Sequence, residues 1–327
     1  MAGPSATAEL LEDRAEAAVS DDFFRSRPFL DAEGATHTLR LETGDGLELV
    51  APLLVRQIGE GPERDAISPY GYPGLVPIPA GDRHSPPIRG EMAITPLDPA
   101  AIDFSATGLV SVFLRHTLGP PPLGGTTERN VVQLADPALA PKSRPSDRRQ
   151  VRRNLEAGYA FELVPAAETT ATQRSGFLDL YEQTMRRTAA AEHYFFGAAY
   201  FGRILEADRT WLVLVTAPGG ALAAASIAAI SDGYLHYYLS GSADSYLRDS
   251  PMKNVVAALV EHAAELSLPL NLGGGISRGD ALEEFKRGFA NRELPWQTSE
   301  LVCDREAYER LSAGHSAAGF FPAYRAP

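Results

Sequence analysis

One cysteine, Cys303, stands among 327 residues. No internal disulfide and no cysteine-built zinc cluster is therefore possible, and a reducing compartment fits. Cys303 lies in no nucleophile motif and reads as a buried or half-buried thiol. The seven histidines include no His-x-x-x-His pair, so the helical zinc motif is excluded as well. No apolar run approaches the roughly 18 residues of a membrane span. Near the start, Glu9, Glu12 and Asp13 stand in an alanine-rich stretch, unlike the basic start and apolar run of a secretion signal. A soluble, cytoplasmic protein is expected. Basic residues are in deficit, 30 Lys and Arg against 42 Asp and Glu, for a net charge of −12. That balance argues against a general nucleic-acid coat protein but leaves room for a local basic patch. No Gly-x-x-x-x-Gly-Lys-Ser/Thr loop is present, so a Walker-type nucleotide site is excluded.

What is there is globular. The hydrophobic share of 44% allows each of two domains its own core. Residues 6–30 read mostly as helix, with Ala8, Leu11, Ala15 and Val19 at helical spacing. Residues 36–41 and 47–58 read as strands joined at Asp45-Gly46, a hairpin signal. Ser68-Pro69-Tyr70-Gly71-Tyr72 follows as an aromatic loop, and 88–102 reads as helical or irregular. Strands are expected at 109–114 and 130–134, and Pro137, Pro141 and Pro145 mark a linker.

The second half opens with a helix over 146–158, capped by Ser146. A strand (159–164), helices (172–188 and 198–206), strands (210–216, 221–230 and 234–239) and a helix (251–267) follow. A short strand at 270–272 then leads into Gly273-Gly274-Gly275, and a last clear helix covers 280–289. Each half shows two strands around a glycine turn and then a tyrosine-rich segment, which suggests two similar domains, 1–140 and 141–327. Helices leading into a meandering sheet give an α+β class rather than a doubly wound sheet.

Two motifs around the glycines fail on inspection. Gly275-Ile276-Ser277-Arg278-Gly279 has the Gly-x-Ser-x-Gly form, but the only later histidine is His315, in a Gly/Ala/Pro-rich tail. Ser277 then reads as a polar turn residue or helix cap. A dinucleotide fingerprint from Gly273 would need glycine where Arg278 stands.

The sequence resembles the FemABX transferases. The resemblance is carried by Arg148-Arg149-Gln150-Val151-Arg152-Arg153-Asn154-Leu155-Glu156-Ala157-Gly158, by Tyr181-Glu182-Gln183-Thr184-Met185-Arg186-Arg187 with His193-Tyr194-Phe195-Phe196, and by Gly273-Gly274-Gly275 with Phe285-Lys286-Arg287-Gly288-Phe289. In the first half, Ser68 to Tyr72 and Phe113-Leu114-Arg115-His116 add to it. It implies two tandem GNAT-like domains, each a mainly antiparallel central sheet flanked by helices. It also implies transfer of an amino acid from aminoacyl-tRNA to an amine, with no bound cofactor. The CoA-binding loop of the superfamily corresponds here to Ser245-Tyr246-Leu247-Arg248-Asp249-Ser250-Pro251-Met252-Lys253. Lacking both glycines, it disfavours acetyl-CoA as donor. No long heptad insertion is seen, so a small peptide-like or natural-product acceptor is expected.

An aminoacyl ester is already activated, and an α-amino group is roughly one-tenth neutral at pH 7. Alignment and stabilisation of the tetrahedral oxyanion are then the chief tasks. The resemblance puts Lys286 in the catalytic role, facing the oxyanion or a terminal phosphate of the tRNA; the alternative is a solvated lysine on an exposed helix face. It puts Phe285 with the tRNA, and Arg187 with an acceptor phosphate or carboxylate. Tyr70, Tyr72, Tyr194, Tyr237 and Tyr238 are candidates for lining the substrate cleft. Residues 142–153 carry Lys142, Arg144, Arg148, Arg149, Arg152 and Arg153 against the single acid Asp147. Arginine forks suit RNA phosphates; the alternative is a solvated face paired with acidic neighbours. A CoA-dependent N-acyltransferase and a catalytically silent binding module of the same fold remain as other functions.

Overall fold

A computed structural model describes residues 5–13, 22–78, 95–315 and 319–326 of the chain. In chain order its elements are β1 Ala6–Leu11, α1 Arg27–Glu33, β2 His37–Thr43, β3 Glu48–Gln57, β4 Arg64–Ile67, β5 Val76–Pro77, β6 Ile102–Asp103, β7 Leu109–Arg115 and β8 Thr127–Ala135. There follow α2 Pro145–Glu156, β9 Ala160–Pro165, α3 Ala171–Arg187, α4 Ala198–Ile204, β10 Thr210–Thr216, β11 Leu222–Ser231, β12 Tyr234–Ser242 and α5 Met252–Leu266. The chain closes with β13 Leu270–Gly273, α6 Ala281–Arg287, β14 Arg292–Val302 and α7 Arg305–Ser312. No described helix is long and apolar enough to cross a membrane.

The chain divides into two compact units, Met1–Arg129 with Trp296–Pro327, and Asn130–Pro295. The first contains the strand run β1-β2-β3-β4-β7-β14, antiparallel throughout except for β4 beside β7. The second contains β9-β10-β11-β12-β13-β8, antiparallel except for β12 beside β13. Each unit is thus the same α+β sheet, with one parallel pair in the same place. The division differs from a single cut at 140. The strand that completes the first unit is β14, from the far end of the chain, and the one that completes the second is β8, the first strand after β7. Each sheet takes its sixth strand from the segment a simple tandem order would give to the other.

The expected N-terminal helix is replaced by β1. Ala6 and Ala8 alternate with exposed neighbours and pair with Thr43 and Leu41, so the period is two. Ala15 and Val19 lie outside the described residues, as do residues 88–94 of the undecided segment. The Asp45-Gly46 hairpin joins β2 to β3, with Gly46 at φ 85°. Helix α2 begins with Pro145 in its first turn, and Arg144, not Ser146, stands at the cap.

The second unit buries Val255, Val256, Leu259 and Ala263 of α5 against Val213, Ala224, Leu235 and Leu270 of the sheet. Helix α3 lies against β12 so closely that a Cβ on Gly241 would strike the Leu180 and Tyr181 backbone.

Candidate functional site

Strands β12 and β13 run parallel, so their C-terminal ends lie on one side of the second unit. They pair over Leu235↔Leu270 and His236↔Asn271 and part beyond. Such a parting at the C-terminal ends of strands is where open sheets admit ligands. Beyond the parting, β12 carries a bulge: Ser226 pairs with Ser240 and Ala228 with Tyr237, leaving one residue opposite two. The Ser226 hydroxyl donates to the Leu239 carbonyl at 3.2 Å and so holds the bulge. Tyr238 lies in it with Leu239, and Tyr237 stands directly before it. The Tyr237 hydroxyl bonds Ser240 at 2.7 Å, and burial pushes it up to about 12. The Tyr238 hydroxyl lies 3.1 Å from that of Tyr200.

On the β13 side the glycine loop is held from three directions. Gly273, at φ 75°, donates its N–H to Asn271 Oδ1 at 2.8 Å. The Gly275 carbonyl accepts from Asn130 Nδ2 at 2.7 Å. Asp280 Oδ2 accepts from the Ile276 and Ser277 N–H groups at 2.7 and 3.0 Å, and its Oδ1 caps α6 through Glu283 N–H at 2.8 Å. These N–H donors, Glu283 first, hold the Asp280 carboxyl below its ordinary range. Ser277 is thus a turn residue.

Lys286 points back into this loop, and its Nζ donates to the Gly274 carbonyl at 2.6 Å. The side chain is buried, 8% exposed, which corrects the expectation of a solvated helix lysine. The sequence could not show this, because burial comes from a loop that only the β13–β8 pairing puts in place. Burial pushes the amine down to about 8, opposed by the Asp280 carboxylate. Phe285 packs edge-on against Phe289 at 5.8 Å and joins the core under α5. That gives it a packing partner inside the protein.

The α2 arginines Arg148, Arg149, Arg152 and Arg153 are all exposed. Among the described residues none of them pairs with a carboxylate, whereas Arg144 binds Glu284 at 2.5 Å and Asp147 takes Lys253 at 2.9 Å. The buried side of α2 is polar. Gln150 and Asn154 donate to the Asp249 carbonyl at 3.1 and 2.8 Å, and Asn154 also to Asn254 at 2.6 Å. Helix α2 therefore covers the N-terminal turn of α5, the stretch that the resemblance likens to a CoA-binding loop. There Ser250 sits at φ 50°, and its carbonyl and that of Pro251 take the Lys253 and Asn254 N–H groups at 3.0 and 2.9 Å. The Asp249 carboxylate accepts from the Tyr159 hydroxyl at 2.6 Å, placing a negative group at that helix end.

Arg187 is committed within the unit. It donates to the Ser242 carbonyl at 3.2 Å and to Thr184 at 3.1 Å, and pairs with Asp244. The Tyr194 carbonyl accepts from Tyr181 at 2.7 Å, and its ring lies 4.1 Å from His193. Tyr70 and Tyr72 belong to the first unit. There the Tyr70 N–H donates to Glu33 at 2.8 Å, and Tyr72 meets Phe24 and Trp296 edge-on at 5.4 and 5.8 Å. Lys286 and the α2 arginines thus share the second unit with Arg187, Tyr194, Tyr237 and Tyr238. Asn130, Asn271 and Asp280 were missed from sequence. Asp280 three residues before Glu283, and Asn271 two before a glycine triplet, are the signals that mark them.

Residues 141–287 match the family described as "Acetyltransferase (GNAT) domain". Among solved structures, FemX aligns with a TM-score of 0.59 at 11% identity, over 92% of this chain and 99% of its own. L-PGS from Bacillus licheniformis aligns at 0.50 and 12% identity, over 90% of this chain and 93% of its own. At these identities the likeness is one of fold. No curated protein matches the sequence. The chain thus has the fold of FemX, and residues 141–287 match a GNAT acetyltransferase domain.

Proposed function

We propose that the chain transfers an aminoacyl group from tRNA to the amine of a small peptide-like or natural-product acceptor, forming an amide. The observation that carries this reading is the exposed α2 face, where Arg148, Arg149, Arg152 and Arg153 have no carboxylate partner among the described residues, on a chain of net charge −12. An acidic protein that leaves such a face unneutralised presents it to phosphate. Two further features support the donor. At the α5 N-terminus the Lys253 and Asn254 N–H groups are taken by the carbonyls of their own turn and α2 packs over that turn, which disfavours a CoA pyrophosphate there. The FemX fold spans nearly the whole chain.

In this reading the acceptor amine attacks the ester carbonyl, the carbonyl oxygen takes the charge, and the ribose hydroxyl leaves with a proton. Lys286, which reaches from α6 to the glycine loop that follows β13, stabilises that charge. The test is amide formation from purified charged tRNA and a panel of amines, followed by mass spectrometry. Product abolished by ribonuclease is expected. Equal product from acyl-CoA alone would replace tRNA with a CoA thioester, the second reading, which the family match favours.

A further inference from the structure

A lysine amine buried to this degree takes its position from whatever accepts its hydrogen bond. Here the acceptor is a backbone carbonyl, Gly274, in a loop with no regular secondary structure. A glycine triplet left to itself samples many conformations. This one is clamped at both ends by two asparagines from different strands. On the entering side, Asn271 Oδ1 takes the Gly273 N–H at 2.8 Å. The Asn271 amide is itself oriented by His236. His236 Nε2 lies 3.2 Å from the Ser231 carbonyl, which can only accept, so Nε2 carries the proton. His236 Nδ1 then accepts from Asn271 Nδ2 at 3.0 Å, which leaves Oδ1 facing Gly273. On the leaving side, Asn130 Nδ2 donates to the Gly275 carbonyl at 2.7 Å, while its Oδ1 takes the Val131 N–H at 2.8 Å. Gly274 lies between, with no room for a side chain. A Cβ there would stand 2.7 Å from Asn130 Nδ2 and 2.8 Å from the Val131 carbonyl.

We infer that Asn130 and Asn271 are positioning residues for Lys286: together they fix the glycine triplet so that the Gly274 carbonyl holds the lysine amine at the mouth of the parted strands. Neither asparagine bonds Lys286 itself; each acts through the loop. A group meant to meet a developing charge must be held by a second ring of contacts. The Ser231–His236–Asn271 chain supplies one half of that ring and Asn130 the other. This inference rests on Lys286 being the working residue of the proposed transfer, and the experiment separates the two.

The experiment is competitive labelling of Lys286 with trace acetic anhydride over a pH series, read by peptide mass spectrometry without substrate. Exposed Lys142 serves as the internal reference. In the unmodified chain Lys286 titrates at about 8. In Asn130→Ala, and separately in Asn271→Ala, the released loop admits water to the amine. Since burial causes the depression and the Asp280 carboxylate opposes it, the titration moves up by about one unit or more and labelling at neutral pH slows accordingly. Asn130→Asp, which keeps the acceptor for Val131 N–H but loses the donor to Gly275, gives the same upward shift and serves if either alanine variant fails to fold. Where turnover is measurable, kcat falls about tenfold with acceptor KM unchanged. An unchanged Lys286 titration in folded variants overturns the inference. A wild-type chain that makes no amide from charged tRNA overturns the transfer reading instead, and leaves the labelling result to decide this one.

Discussion

Asn154 of α2 donates through Nδ2 to Oδ1 of Asn254 in α5 at 2.6 Å, with both side chains buried. The same Nδ2 reaches the Asp249 carbonyl at 2.8 Å. Through these bonds a helix with almost no apolar face is nonetheless seated. Asn154→Ala strips donors from the buried Asn254 oxygen and the Asp249 carbonyl. A loss of about 1–3 kcal/mol is expected in denaturant unfolding. RNA affinity should fall as well, although no arginine is touched. Full RNA affinity in Asn154→Ala would show that the seating of α2 is irrelevant to binding.

Arg149 and Arg152 stand one turn apart on the exposed side of α2. Arg149→Glu with Arg152→Glu should weaken tRNA binding and flatten the slope of log K against log salt by roughly 0.7–0.9 per lost phosphate contact. Melting should change little, since neither makes an ion pair among the described residues. Filter binding across a salt series checks this, and an unchanged slope places the RNA on another surface.

What was legible in the sequence is what local pattern decides. Asp45-Gly46 specifies its hairpin, and the helical spacing of Phe177, Leu180 and Tyr181 gives α3. β1 reads as helix because Ala8 and Leu11, three apart, fit the helical period; on a strand they face opposite sides, and pairing with β2 chooses the alternation of Ala6 and Ala8 instead. The exchange of β8 and β14 between the two sheets was invisible for the same reason, since nothing within those strands says which neighbour they take. Lys286 shows the limit most clearly. Its motif singled it out, but its burial depends on Gly274 and hence on Asn130 and Asn271, one of them far away in sequence.

In the first unit, Asp65 is fully buried between two arginines. Arg56 Nε lies at 3.0 Å and Arg325 Nη2 at 3.0 Å, and Arg325 also donates to the Gln57 carbonyl at 2.7 Å. Asp65→Ala leaves both cations without their carboxylate and should cost about 3–5 kcal/mol. Arg325→Ala should cost less, because Arg56 still pairs with the carboxylate. Chemical denaturation of both variants checks the order, and equal losses would show that Arg56 contributes nothing.

In the proposed transfer, Lys286 sets stability against activity. Its amine is pushed from 10.5 down to about 8 in the folded chain. Between those values the unfolded chain binds the extra proton, so stability rises with pH across that window. Below about 8 the full penalty is present, roughly 3 kcal/mol for a shift of that size. Lys286→Met keeps most of the volume and removes the charge. It leaves the Gly274 carbonyl without its donor, which takes back about 1–2 kcal/mol. The variant should therefore be no less stable than wild type at pH 7, and its relative stability should decline as pH climbs from about 8 towards 10.5. Turnover should nevertheless drop about a hundredfold, the usual effect of removing one electrostatic partner of an oxyanion. Lys286→Arg should restore only part of it, since a planar fork does not place its charge where an ammonium does. Unfolding midpoints and single-turnover rates at matched pH decide the matter. A Lys286→Met chain that keeps full turnover would leave the lysine a structural tie for the glycine loop and nothing more.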